Sequence, residues 1–419
     1  MALAPETSRL LRRFLFVPLL VLGALACGGR GAGGRESTGP GAAGPDVGAT
    51  LLGSDSERSG AAVYERENCA RCHSQLDGPA VTGPVRLPLP QGRPVSRVGP
   101  DLGAEGHRRS DDWQYAHLYA PSAITPGSPM PASRSLFRPG AHGRPEPTVE
   151  AADLVAYLQA LGRGRRDVWA EFRRSEPEVA PPPATGRALL ERGTLLYAEL
   201  CASCHGLSGD GCGEVAPLLA IPPRDLTAAH YRFKSTPGGE PPEDGDLYRI
   251  LTLGTGLGSS MPAFYWLPPE DRWALVSRVK DFSPRLRETG LLASAARPEG
   301  PGAEGPAEQG GEAGALARGR RLWGDLGCAG CHGAEGRGMA REEGPFVWAD
   351  PDGAAVPGSG DLTHACALRG GASPRAIERA IVVGVGLMMP AYGDALEGEE
   401  DRRALRAFVL ALQDAPEGP

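Results

Sequence analysis

The stretches Cys69-Ala-Arg-Cys72-His73, Cys201-Ala-Ser-Cys204-His205 and Cys328-Ala-Gly-Cys331-His332 decide how this chain is read. Two cysteines separated by two residues and followed directly by a histidine form the C-x-x-C-H pattern of covalent haem c attachment. In that chemistry the thiols add across the vinyl groups of the porphyrin as thioethers, and the adjoining imidazole is the proximal ligand of the iron. The first cysteines stand at 69, 201 and 328, a spacing of roughly 130 residues that marks an internal repeat. Zinc is the competing reading of a Cys pair. It asks for four Cys or His ligands, typically from two pairs in one module, whereas each repeat here carries one pair.

A repeated iron site should also repeat its second ligand. Met130, Met261 and Met389 follow the three histidines by 57, 56 and 57 residues. They stand in Ser128-Pro129-Met130-Pro131-Ala132, Ser260-Met261-Pro262-Ala263 and Met388-Met389-Pro390-Ala391. The chain contains 6 methionines, so three at one offset in one Met-Pro-Ala setting are not scattered core residues. Aligning 256–261 on 384–389 sets Met388 opposite Ser260, which selects Met389 as the third ligand. The expected iron ligands are therefore His73 with Met130, His205 with Met261 and His332 with Met389. The expected attachment residues are Cys69, Cys72, Cys201, Cys204, Cys328 and Cys331, for three covalently bound haem c groups.

Outward from these sites, the chain of 419 residues is 41% hydrophobic and only 6% aromatic, with 60 Gly and 41 Pro. That composition suits small modules joined by irregular segments better than one large core. A net charge of −7 excludes the basic face that a nucleic-acid binder needs. No apolar run reaches the ~20 residues of a membrane-spanning helix. Arg9, Arg12 and Arg13 precede a short apolar stretch from Phe14 to Ala26, which reads as an export signal. Gly23-Ala24-Leu25-Ala26-Cys27 resembles a bacterial lipobox, and the resemblance implies a lipidated Cys27 that ties the mature chain to a membrane on the periplasmic side. The expected organisation is a leader over 1–27, a flexible tether over 28–57, unit one over 58–162, a linker over 163–184, unit two over 185–289, a linker over 290–314 and unit three over 315–414.

Each attachment site is preceded by Gly-x-x-x-aromatic: Gly60 to Tyr64, Gly193 to Tyr197 and Gly319 to Trp323. Each Met is followed by an amphipathic stretch (149–162, 268–282 and 400–413) with apolar residues at steps of three and four. In this the three units are similar to the class I cytochrome c family, whose first and last helices cross at a glycine–aromatic contact. The resemblance implies a mainly α protein of three tandem cytochrome c-like helical domains joined by flexible Gly/Pro-rich linkers. It also implies that Gly99-Pro100-Asp101-Leu102 supplies a Pro carbonyl to the ligating imidazole of unit one. Pro223-Arg224-Asp225-Leu226 and Gly358-Ser359-Gly360-Asp361-Leu362 occupy that place in the later units. Within unit one, 97–102 and Ser110-Asp-Asp-Trp-Gln-Tyr-Ala-His-Leu-Tyr119 resemble the monohaem subunit of the C-family haem–copper oxidases.

An iron held by imidazole and thioether has no position left for substrate, so the expected role is single-electron transfer without a small-molecule substrate. The partners would be a membrane-associated donor and a terminal oxidase or reductase. Two alternatives stand beside it: a haem enzyme of the peroxidase or nitrite reductase type, and a non-catalytic electron-entry subunit of a haem–copper oxidase. Cys212 and Cys366 read either as a disulfide between units two and three or as thiols. His107, His117, His142, His230 and His364 read as surface or hydrogen-bonded histidines.

Overall fold

The computed structural model describes residues 54–75, 86–88, 94–96, 99–103, 105–106, 108–140, 145–161, 166–219, 221–256, 260–287, 311–338, 347–349, 355–357, 361–386, 389–396 and 398–413. The leader, Cys27 and the tether to residue 53 lie outside the described residues. The architecture is mainly helical. Unit one holds α1 (Asp55–Arg66), α2 (Asp111–Tyr119), α3 (Pro121–Ile124) and α4 (Val149–Ala160), and α5 (Arg166–Arg174) follows it. Unit two holds α6 (Arg187–Leu200), α7 (Ala202–His205), α8 (Asp244–Leu253), α9 (Pro269–Phe282) and α10 (Pro284–Arg287). Unit three holds α11 (Gly311–Asp325), α12 (Cys328–His332), α13 (Pro374–Val383) and α14 (Glu399–Gln413). Among the described residues the strands pair as antiparallel hairpins: β1 (Arg86–Pro88) with β2 (Pro94–Ser96), β3 (Phe137–Pro139) with β4 (Pro145–Pro147), and β5 (Val347–Ala349) with β6 (Ala355–Pro357). Among the described residues no helix is long and apolar enough to cross a membrane.

Hydroxyl caps start several of these helices. The Oγ of Ser54, Ser110 and Ser373 and the Oγ1 of Thr148 each accept a backbone N–H three residues on, satisfying donors that the first helical turn leaves over.

The first helix of each unit (α1, α6 and α11) crosses its last long helix (α4, α9 and α14) at a glycine. A Cβ on Gly60 would lie 1.9 Å from the Asp153 carbonyl oxygen, one on Gly193 would lie 2.0 Å from that of Ala274, and one on Gly319 would lie 2.1 Å from that of Ala404. Only a residue without a side chain admits so close a backbone approach. One turn further on, the aromatic residue packs on the last helix: Tyr64 lies 5.5 Å from Tyr157, Tyr197 lies 4.8 Å from Phe282, and Trp323 lies 5.6 Å from Phe408 between ring centroids. Each crossing anchors its own buried cluster. Val63, Tyr64, Leu154 and Leu158 belong to the first, Tyr197, Tyr248, Trp273 and Val276 to the second, and Trp323, Leu405, Phe408 and Val409 to the third.

The 163–184 segment, expected as a linker, is ordered in part. In the 163–184 segment the chain is helical from Arg166 to Arg174 and then packs along unit two. Val179 and Ala180 lie against the unit-two core, and the Trp273 indole N–H donates to the Ala180 carbonyl at 2.9 Å. Arg173 is buried, and its guanidinium donates to the carbonyls of Leu253 (2.7 Å) and Gly254 (3.1 Å) in unit two and of Leu368 and Arg369 (3.0 Å) in unit three. Such donors pull a connecting segment into the fold that its Pro content alone would leave outside it. Residues 311–314, placed in the second linker, already belong to α11, and 288–310 lie outside the described residues.

Candidate haem sites

In unit two, the end of α6 and the short α7 hold Cys201, Cys204 and His205 on one turn: the N–H groups of Cys204 and His205 both donate to the Cys201 carbonyl, at 3.1 and 2.9 Å. The His205 Nδ1 lies 2.9 Å from the Arg224 carbonyl oxygen. A carbonyl only accepts, so Nδ1 carries the proton and the Nε2 lone pair is left for a metal. Burial pulls the imidazole pKa below its ordinary value, which keeps it in the neutral, ligating form. Burial also pushes the Cys201 thiol up to about 12 and raises that of Cys204.

The methionine arrives from a different element. α8 stops at Gly254, whose φ of +61° lets the chain reverse; a Cβ there would lie 2.6 Å from the Ala263 amide nitrogen. Met261-Pro262-Ala263 then runs back past the helix end, with the Thr255 N–H donating to the Met261 carbonyl at 3.1 Å. Met261, His205, Cys201 and Cys204 line one cavity that opens to solvent, walled by Leu219, Ile221, Leu251, Phe264 and Val279. The apolar walls, the two thiols and an imidazole already oriented by a carbonyl all fit a covalently held porphyrin.

The same local pieces recur in the other units. His73 Nδ1 lies 2.9 Å from the Pro100 carbonyl oxygen. This is the acceptor expected in unit one, and Arg224, also two residues before a leucine, occupies the matching place in unit two. Gly99 passes over the imidazole, where a Cβ would come within 2.6 Å of the ring. The Leu102, Leu226 and Leu362 amides donate to Ser74 (2.8 Å), Gly209 (2.7 Å) and Gly336 (2.7 Å). Asp225 and Asp361 each accept from the backbone N–H of the threonine two residues on, at 2.8 Å in both units. In unit three, Met389 pairs with Val385 in a short antiparallel bridge beside Gly384, which has a φ of +77°. Met130 and Met389 pack against the same clusters as Cys69 and Cys328, respectively. Residues 358–360 and Met388 lie outside the described residues.

Several participants carry no local sequence mark. The Tyr197 hydroxyl donates to the Gly206 carbonyl at 2.8 Å and the Trp323 indole N–H to that of Gly333 at 3.2 Å, so in units two and three the crossing aromatic also holds the residue after the histidine. Arg232 and Arg369 line the unit-two cavity although they lie far apart in sequence. His117, expected at the surface or in a hydrogen bond, stacks on Trp113 with centroids 4.7 Å apart, and its buried Nδ1 has no hydrogen-bond partner among the described residues. Burial, together with Arg109 and His73 nearby, pushes its pKa down to about 3. His107 and His142 lie outside the described residues. Cys366 is a buried thiol, so the 212–366 disulfide is not formed.

Three consecutive stretches match family models. Residues 94–144 match the cytochrome c oxidase mono-haem subunit FixO, 188–277 match subunit III of cbb3-type cytochrome c oxidase, and 316–413 match cytochrome c. The first match begins after His73 and contains Met130; the other two span a complete C-x-x-C-H and its methionine. No curated protein matches the chain significantly. Among solved structures, the Kuenenia stuttgartiensis reducing HAO-like protein complex is similar at 27% identity over 56% of this chain and 99% of that one, with a TM-score of 0.45. At that score the likeness bears on neither fold nor function.

Proposed function

We propose, for a chain built of tandem cytochrome c domains that carry covalent haem c, that it is a trihaem electron carrier passing single electrons between a membrane-associated donor and a terminal oxidase or reductase. The observation that carries this reading is the unit-two cavity, where an imidazole fixed by the Arg224 carbonyl and the thioether of Met261 line the same space. Bound haem supplies a one-electron couple. The chain's residues would do the rest: Cys201 and Cys204 would tether the ring, His205 and Met261 would hold the iron, and the apolar walls would exclude water. Cys69, Cys72, His73 and Met130 have these roles in unit one, and Cys328, Cys331, His332 and Met389 have them in unit three. A lipidated Cys27 on the periplasmic side would keep the carrier beside membrane partners.

If His205 and Met261 both hold the iron, carbon monoxide should not bind the reduced protein promptly, and Met261→Ala should bind one equivalent per chain. Prompt stoichiometric binding by the native protein would overturn the carrier reading in favour of a haem enzyme. The two matches to oxidase subunits favour a second reading, a non-catalytic electron-entry subunit of a haem–copper oxidase. Co-purification of a haem–copper catalytic subunit from native membranes would select it.

A further inference from the structure

The unit-two cavity is not closed by unit two alone. Arg369, in the 368–372 turn of unit three, lines it together with Arg232 of unit two. The two units interlock at this place. A Cβ on Gly386 would lie 3.1 Å from the Arg232 side chain, one on Gly370 would lie 3.0 Å from the Phe233 ring, and one on Gly256 would lie 2.3 Å from the Cys366 carbonyl oxygen. Arg173 fixes the register by bonding carbonyls on both sides, that of Arg369 among them.

Arg232 of unit two and Arg369 of unit three thus line one largely apolar cavity, whose wall also holds Arg224. Burial first, and then the neighbouring Arg232, pull the Arg369 pKa down to about 10. Among the described residues the Arg369 guanidinium has no acidic partner. Asp246 also lines the cavity, but its carboxylate is taken up by Arg249, the Ser235 N–H and hydroxyl, and the Glu243 N–H. A partly buried guanidinium without an acidic partner, as at Arg369, calls for an anion beside it. The group that the cavity otherwise fits, a haem, carries carboxylates on its edge.

We propose that Arg369 of unit three, together with Arg232 of unit two, binds the carboxylates of the haem held by Cys201, Cys204, His205 and Met261, so that the third unit completes the second haem site. The inference rests on the haem assignment of unit two. Its consequence is electrostatic. A cation at the haem edge favours the reduced state, which carries one positive charge fewer, so a residue of unit three sets the potential of unit two.

The test uses the full-length, haem-loaded protein, with the second haem marked by Met261→His so that its step separates from the others in a redox titration. In that background Arg369→Gln should lower the reduced-to-oxidised ratio of the second haem about tenfold at fixed potential, a shift of about 59 mV for one electron. It should leave the step of unit three, the unit to which Arg369 itself belongs, nearly unmoved. Arg369→Lys should restore most of the shift, and Arg232→Gln should reproduce its direction. With carboxyl-labelled haem, the carboxylate infrared bands should move in Arg369→Gln and in Arg232→Gln. An unmoved second potential in both Gln variants, or a larger movement at the third haem, overturns the inference. Fewer than three haems per native chain overturns the reading beneath it, whereas three haems with unchanged potentials and bands defeats the inference alone.

Discussion

A methyl group on Gly193 would sit 2.0 Å from the Ala274 carbonyl oxygen and 3.2 Å from the Arg278 Cβ, so the space at the α6–α9 crossing is already filled by backbone. Alanine is otherwise the better helix former by ~1 kcal/mol, and two effects of opposite sign meet at this residue. Forcing a methyl into packed backbone costs ~1–3 kcal/mol, and a carbonyl cannot rotate away as a side-chain tip can. Gly193→Ala should therefore destabilise the protein by about 1–2 kcal/mol in urea unfolding; an alanine variant as stable as the native protein would refute the close crossing. Tyr197→Phe removes only the hydroxyl that donates to the Gly206 carbonyl. It should cost about 1 kcal/mol and leave the haem count unchanged in a pyridine haemochrome assay.

The seam between first and last helices carries a charge pair repeated in units two and three. Arg192 grips Asp271 with two bonds of 2.8 Å, and Arg318 pairs with Asp401 and, at 3.2 Å, with Glu400. The Arg192 guanidinium holds the Asp271 carboxyl below its ordinary range. A depressed carboxylate contributes its stability in full above the unfolded value near ~3.9 and loses it as pH falls through the lowered one. Arg192 is largely exposed, so solvent screens the pair and its contribution is small. Asp271→Asn should show a small deficit at pH 7, and the gap to the native protein should close as pH falls through and below the ordinary aspartate range in unfolding titrations. These outer helices were legible in the sequence because a 3.6-residue apolar period and a fixed distance from Cys and Met pin them: 268–282 became Pro269–Phe282 and 400–413 became Glu399–Gln413. The His205 acceptor was legible only as a position, since a carbonyl is shared by every residue type and Arg224 bears no mark of the role.

At the scale of the molecule, sequence separates the three units but does not show that they dock. Gly- and Pro-rich composition argues for a loose connection, yet Trp169, Phe172 and Arg173 within 163–184 give that segment contacts to make. Phe172 packs on Tyr265 at 5.0 Å, and the Ser110 hydroxyl meets that of Ser260 at 3.1 Å beside Met261. Such contacts join residues more than 90 positions apart, and no local period encodes them. Arg173 concentrates the effect, because burial brings its pKa down only to about 10 and it remains a cation at neutral pH. Replacing it by methionine keeps much of the apolar volume and leaves the carbonyls of Leu253, Gly254, Leu368 and Arg369 without this donor, a loss of roughly 3 kcal/mol. If those bonds are what unite units two and three, calorimetry of Arg173→Met should resolve separate unfolding transitions where the native protein shows one. The second haem should also titrate at lower potential, because the turn that presents Arg369 is released. An unsplit transition with unchanged potentials would mean that the two units are held together elsewhere.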